Sequence, residues 1–165
     1  MILTYIKRII WFAGLILLQV LILNNIHVAG YATPFLYSYF IVKLNSGVSR
    51  NEAMLWSFLM GLCIDIFSNT PGMNAAAAVL LAFARPLFIR LFSPRDSVDD
   101  FEPGFNTMGF SPFIKYITIC VLLLITVLLA IESFSMADFP VLFLKIISST
   151  LLTILCILAI DGIRR

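Results

Sequence analysis

Asp65, Arg85 and Lys145 are ionisable side chains set inside long apolar runs of this 165-residue chain. Such a group at bilayer depth costs about 2.5–3.5 kcal/mol on insertion scales, so each requires a partner or a task. Asp65 stands about one helical turn from the end of its run and Lys145 about two turns into another. At a rise of about 1.5 Å per residue the two reach similar depths, and the expectation is an Asp65–Lys145 pair. Arg85 lies about 10 Å from the helix end at Phe92. Its guanidinium can snorkel to the interface and fix the depth of its helix, meet Glu52, or contact a substrate. A carboxylate beside a turn has a further use, since Asp65 can cap exposed backbone donors there with no ligand involved.

The remaining reactive side chains form no catalytic pattern. Cys63, Cys120 and Cys156 are scattered through apolar stretches and read as small packing residues rather than a disulfide or metal framework. The lone His27, beside Asn24 and Asn25, reads as an interfacial polar residue, and one His with three separated Cys makes no convincing zinc site. There is no spaced Ser/His/Asp set, no phosphate-cradling glycine loop and no HExxH, which argues against an enzyme and against any cofactor.

The elements that must carry these residues follow from composition. Hydrophobic residues make up 61% of the chain and charged residues 12%, with a mean hydropathy of +1.04. A soluble domain carries about 25% charged residues, so the apolar surface of this chain must face lipid. The expected fold is an all-α, polytopic bundle of six transmembrane helices in a single domain, over about 9–26, 32–44, 52–68, 73–92, 113–132 and 139–160. The second span is short and opens with Pro34, which suits a first helical turn. Asn69-Thr70-Pro71-Gly72 is a tight turn that folds the third and fourth spans into a hairpin. The small residues Gly61, Ala75-Ala76-Ala77-Ala78 and Ser148-Ser149-Thr150 let helices approach closely.

Charge distribution sets the expected orientation. With both termini cytoplasmic, Lys7, Arg8, Lys43, Arg50, Arg90, Arg95, Lys115, Arg164 and Arg165 face inward, which is nine of the eleven basic residues. The segment 93–112 then becomes a cytoplasmic loop, acidic and rich in Pro and Gly, with Phe101, Phe105 and Phe110. Its composition favours an unstructured connection, the alternative being a contact with the membrane surface or a cytoplasmic partner. Nothing points to nucleic acid, because the cations are single or paired and not interleaved with aromatics.

The stretch Gly61-Leu62-Cys63-Ile64-Asp65-Ile66-Phe67-Ser68-Asn69-Thr70-Pro71-Gly72 resembles the signature of the MreD family of bacterial rod-shape-determining proteins. Pro34-Phe35-Leu36 followed by Tyr39 is similar to that family's second helix. The resemblance implies a non-enzymatic inner-membrane subunit of the cell-elongation machinery, with Gly61, Asp65, Ser68, Gly72 and Pro34 as the family-like positions. It implies as partners an MreC-like bitopic protein and, indirectly, MreB-like actin filaments and the elongation glycan polymerase and transpeptidase, in a setting of membrane lipid. The acidic segment 93–112 is longer than the family pattern suggests. A rival from another class is the substrate-binding subunit of a vitamin-type energy-coupling-factor transporter, which would gather polar groups such as Asp65, Asn74 and Lys145 into a pocket near the outer face. A channel or exchanger would need a polar pathway, and Gln19, Arg85 and Lys145 are too sparse to draw one.

Overall fold

A computed structural model describes residues 2–25, 32–93, 100–133 and 139–163. His27, Pro94, Arg95, Asp96, Asp99, Arg164 and Arg165 lie outside the described residues. The fold is all-helical: α1 (Ile2–Leu21), α2 (Ser38–Lys43), α3 (Arg50–Ser68), α4 (Met73–Phe92), α5 (Phe105–Met108), α6 (Phe110–Glu132) and α7 (Phe139–Ile163), with a 3-10 turn at Leu23–Asn25. Among the described residues, four stretches are long and apolar enough to cross a membrane: Tyr5–Asn25, Met73–Phe92, Phe110–Glu132 and Pro140–Ile163.

Helix α4 is the central element, packed against α3 on one side and α6 on the other. Its buried alanines explain the closeness, because Ala75, Ala77, Ala78 and Ala82 all lie inside. Gly61 of α3 faces the start of α4 so tightly that a Cβ there would stand 2.4 Å from the Ala75 Cα. Around this pair the apolar core runs through Met60, Ile64, Leu81, Ile117, Val121 and Leu124. The outward residues are themselves apolar, among them Leu55, Ile66, Phe83, Leu87, Leu122, Phe143 and Leu155, as a lipid-facing surface requires.

Two stretches depart from expectation. The anticipated 32–44 span is helical only over Ser38–Lys43, and residues 32–37 are non-helical, irregular at first and then a turn. Pro34 therefore does not open a helix. The stretch avoids a helix because other side chains take up its backbone groups. Leu36 N–H donates to Gln19 Oε1 at 2.9 Å and Gln19 Nε2 donates to the Pro34 carbonyl at 3.0 Å. Thr33 N–H meets Ser149 Oγ at 3.2 Å, and Phe35 N–H meets Thr153 Oγ1 at 3.0 Å. Irregular backbone at membrane depth is tolerated only under such protection.

The second departure is in the acidic segment. Residues 100–112 are ordered against the bundle and not an unstructured connection. Ser46 and Phe101 exchange two bonds, Ser46 N–H to the Phe101 carbonyl at 2.8 Å and Phe101 N–H to Ser46 Oγ at 3.0 Å. Phe105 packs edge-on to Phe113 with ring centroids 4.7 Å apart, and Met108 is buried. This anchoring starts α6 at Phe110, three residues before the expected 113. Helix α1 likewise begins at Ile2 rather than 9, so Lys7 and Arg8 are helical.

Candidate functional site: the polar lock at the hairpin end

The α3–α4 turn collects the polar residues that the chain cannot leave in an apolar setting. Helix α3 ends in Asn69, whose left-handed φ of 55° lets its N–H return to the Asp65 carbonyl. Gly72 follows at φ 76° as the residue before α4. Space is open around it, so its glycine is required by conformation rather than by crowding. The turn leaves the first N–H groups of α4 without intrahelical partners.

Asp65 satisfies them. Its Oδ1 accepts from Asn74 N–H at 3.0 Å, Asn74 Nδ2 at 2.9 Å and Thr70 Oγ1 at 2.6 Å. Its Oδ2 accepts from Ala75 N–H at 2.9 Å. A carboxylate at a helix N-terminus is further stabilised by the helix dipole. Tyr37 extends the network by donating its hydroxyl to Asn74 Oδ1 at 3.0 Å. Asn24 Nδ2 donates to Ser68 Oγ at 2.6 Å, and Gln19 Nε2 donates to Asn24 Oδ1 at 2.9 Å. The end of α1, the irregular stretch and the hairpin are thus joined by one chain of bonds.

The four positions Gly61, Asp65, Ser68 and Gly72 therefore serve a single structure. Gly61 permits the approach, Asp65 caps α4, Ser68 receives α1, and Gly72 sets the turn. Pro34 belongs to the same assembly through its carbonyl. The expected Asp65–Lys145 pair does not form. Donors created by the turn lie within reach of Asp65, while Lys145 is half-buried on α7 and makes no ion pair among the described residues.

Arg85 also differs from expectation. It neither snorkels nor meets Glu52, and is only 2% exposed. Its Nη2 donates to the Leu44 carbonyl and its Nη1 to the Asn45 carbonyl at 3.4 Å. Tyr116 donates its hydroxyl to the Val42 carbonyl at 3.2 Å, so the two side chains close the C-terminal end of α2. A cation is favoured at that pole of a helix. Glu52 pairs instead with Arg8 at 3.1 Å.

Far from the hairpin, at the basic end of the bundle, Lys43 contacts Asp161 at 2.7 Å and Glu102 at 3.7 Å. Tyr39 donates its hydroxyl to the same Asp161 at 3.3 Å. This cluster joins α2, α7 and the acidic segment. Sequence reasoning missed it, and missed Gln19, Asn74, Ser149 and Thr153 as supports. The available signal was their polarity inside apolar runs, which marks a need for partners without naming them.

Among the described residues no group of three or more His, Cys, Asp or Glu stands together as metal ligands. A cavity of about 480 Å³ opens at the hairpin end, lined by Asn24, Thr33, Asn69, Asn74 and Glu132 among others. Among the described residues, fold and site define a helical protein with four helices long and apolar enough to cross a membrane, stapled at one end by hydrogen bonds and at the other by ion pairs. Comparison with family models, curated proteins and solved structures finds no match for the chain.

Proposed function

We propose that this protein is a non-enzymatic subunit of the bacterial cell-elongation complex, resident in the cytoplasmic membrane and similar to MreD. The observation that carries this reading is the use made of Asp65. The most conspicuous carboxylate of the family-like stretch accepts four hydrogen bonds from its own hairpin, which leaves it little capacity for a reaction and a large effect on shape. A rigid hairpin end is what a docking surface needs. In this reading α3 and the α2 region cross the bilayer with the four longer helices, giving six spans with both termini and the acidic segment in the cytoplasm. The hairpin end then faces an MreC-like bitopic partner. The opposite end lies near MreB-like filaments and, through the complex, the glycan polymerase and transpeptidase.

Depletion of the protein in its native cells, with fluorescent labelling of new peptidoglycan, tests the proposal. The expected result is rounding and loss of patterned lateral insertion. Normal shape with normal labelling would sink it. The reading as a substrate-binding transporter subunit would then lead, supported by the cavity of about 480 Å³ at the hairpin end. Several polar groups there, Asn24, Ser68 and Asn74 among them, already bond to one another or to neighbours, which favours the scaffold reading.

A further inference from the structure

We propose that the cleft between α1 and α2 at the basic end binds the phosphate of an anionic phospholipid. The cleft encloses about 140 Å³ and is lined by Lys7, Arg8, Lys43 and Glu102, with Trp11, Leu15 and Phe40 among its apolar walls. Three cations against one carboxylate give the lining a charge of +2. Of the carboxylates that pair with these cations, Glu102, 3.7 Å from Lys43, lies in the cleft and is already counted, while the other two border adjoining cavities. Glu52, 3.1 Å from Arg8, borders a separate cavity with Tyr5, Gly47 and Asp100. Asp161, 2.7 Å from Lys43, borders another with Phe105 and Thr107. Counting them, the wider cluster is balanced, so the attraction is local to the cleft.

Those contacts prearrange the site. Arg8 is held by Glu52 and lies 5.5 Å from the Tyr5 ring centre. Lys43 is held by Asp161 and lies 5.6 Å from the Phe113 ring centre. Cations fixed in this way lose little further freedom when an anion arrives. Lys7 is exposed and makes no ion pair among the described residues, so its ammonium is available to the ligand. Polar and apolar walls meet in the same cleft, as a lipid headgroup with its glycerol and upper chain requires. Basic pockets between transmembrane helices are known sites for acidic headgroups. A free phosphate would use the cations but gain nothing from Leu15 and Phe40. The inference requires only that the chain sit in a bilayer, and it stands apart from the elongation-complex reading.

Trp11, 38% exposed, is a built-in reporter on the cleft wall. Trp56 is the only other tryptophan, and Trp56→Phe isolates the signal. The full-length protein would be placed in nanodiscs of phosphatidylcholine with brominated phosphatidylglycerol, or with brominated phosphatidylcholine at the same mole fraction. The expected result is stronger quenching of Trp11 by the brominated phosphatidylglycerol. Lys7→Gln, which alters an exposed residue, should lower that preference about fivefold, the effect of roughly one surface charge. Arg8→Gln should lower it further. Arg90→Gln removes an exposed cation at the end of α4 that does not line the cleft, and should leave the preference unchanged. Equal quenching by the two lipids would overturn the site. So would an effect of Arg90→Gln equal to that of Lys7→Gln, which would reduce the attraction to diffuse charge. Loss of the preference on adding millimolar inorganic phosphate at constant ionic strength would overturn the lipid assignment.

Discussion

At the scale of single residues, the function of Asp65 is to let a tight turn exist in an apolar place. Each hydrogen bond to a charged acceptor contributes about 1.5–3 kcal/mol, and unpaired buried donors cost a similar amount. Asp65→Ala strands Asn74 N–H and Ala75 N–H at once, and is expected to destabilise the protein by about 3 kcal/mol or more. Asp65→Asn keeps one acceptor oxygen and turns an amide donor towards other donors, so it should cost nearly as much. Thermal unfolding in detergent, followed by size-exclusion chromatography, measures both. A melting temperature unchanged in Asp65→Ala would refute the capping role. The pattern Gly61, Asp65, Ser68, Gly72 was legible in the sequence as a motif. The partners of Asp65 were not, because the donors it meets are backbone groups that exist only once the turn has formed. Matching opposite charges at similar depth led instead to Lys145. The same bias towards charge hid the true use of Arg85, whose acceptors are the carbonyls of Leu44 and Asn45.

At the scale of elements, the sequence signal was reliable where apolar runs were long. Helix α4 spans Met73–Phe92 as its hydropathy and flanking turn imply, and α3 and α7 differ from expectation by only a few residues. It failed at residues 32–37, where composition is as apolar as in a helix but the backbone is held by distant side chains. Gln19 is the central support. It is fully buried, donates to Asn24 and Pro34, and accepts from Leu36 and Tyr37. Gln19→Leu fits the volume and removes every one of these bonds, leaving three backbone groups unsatisfied at about 1–3 kcal/mol each. Gln19→Glu retains an acceptor for Leu36 N–H and should be milder. The expected order of melting temperatures is wild type, Gln19→Glu, Gln19→Leu. A Gln19→Leu protein as stable as wild type would show that the irregular stretch is held by packing alone. The acidic segment is a similar case, since its Pro, Gly and Asp content reads as loop while Phe101, Phe105 and Met108 supply the contacts that fix residues 100–112.

At the scale of the whole molecule, charge is segregated along the bundle. Lys7, Arg8, Lys43, Arg50, Arg90 and Lys115 gather at one end, while the hairpin end carries the Asp65 carboxylate among uncharged partners. On the proposed reading, the positive-inside tendency would place the basic end in the cytoplasm. Beyond the α2 region, the six-span reading turns on α3. It is less apolar than the four membrane-length helices because Arg50, Glu52 and Asp65 lie along it. Each of these groups is placed where a crossing helix can bear it, however. Arg50 and Glu52 stand in its first turn, and Asp65 is capped within its last. Its outward residues Leu55, Phe58, Leu59, Leu62, Ile66 and Phe67 are apolar along the full length. If α3 crosses, its two ends must lie in different compartments. Single cysteines at Asn51 and Pro71, both exposed, report on those ends once Cys63, Cys120 and Cys156 are replaced by Ala. A membrane-impermeant maleimide applied to cells with permeabilised outer envelopes and intact inner membranes should label Pro71→Cys. It should reach Asn51→Cys only after the inner membrane is opened, and Asn106→Cys in the acidic segment should follow Asn51→Cys. Labelling of Pro71→Cys and Asn51→Cys from the same side would mean that α3 does not cross. The six-span reading would then fall, and with it the placement of the hairpin towards a periplasmic partner. Reversed labelling would keep α3 as a crossing helix and invert the orientation, leaving the Asp65 lock facing the cytoplasm.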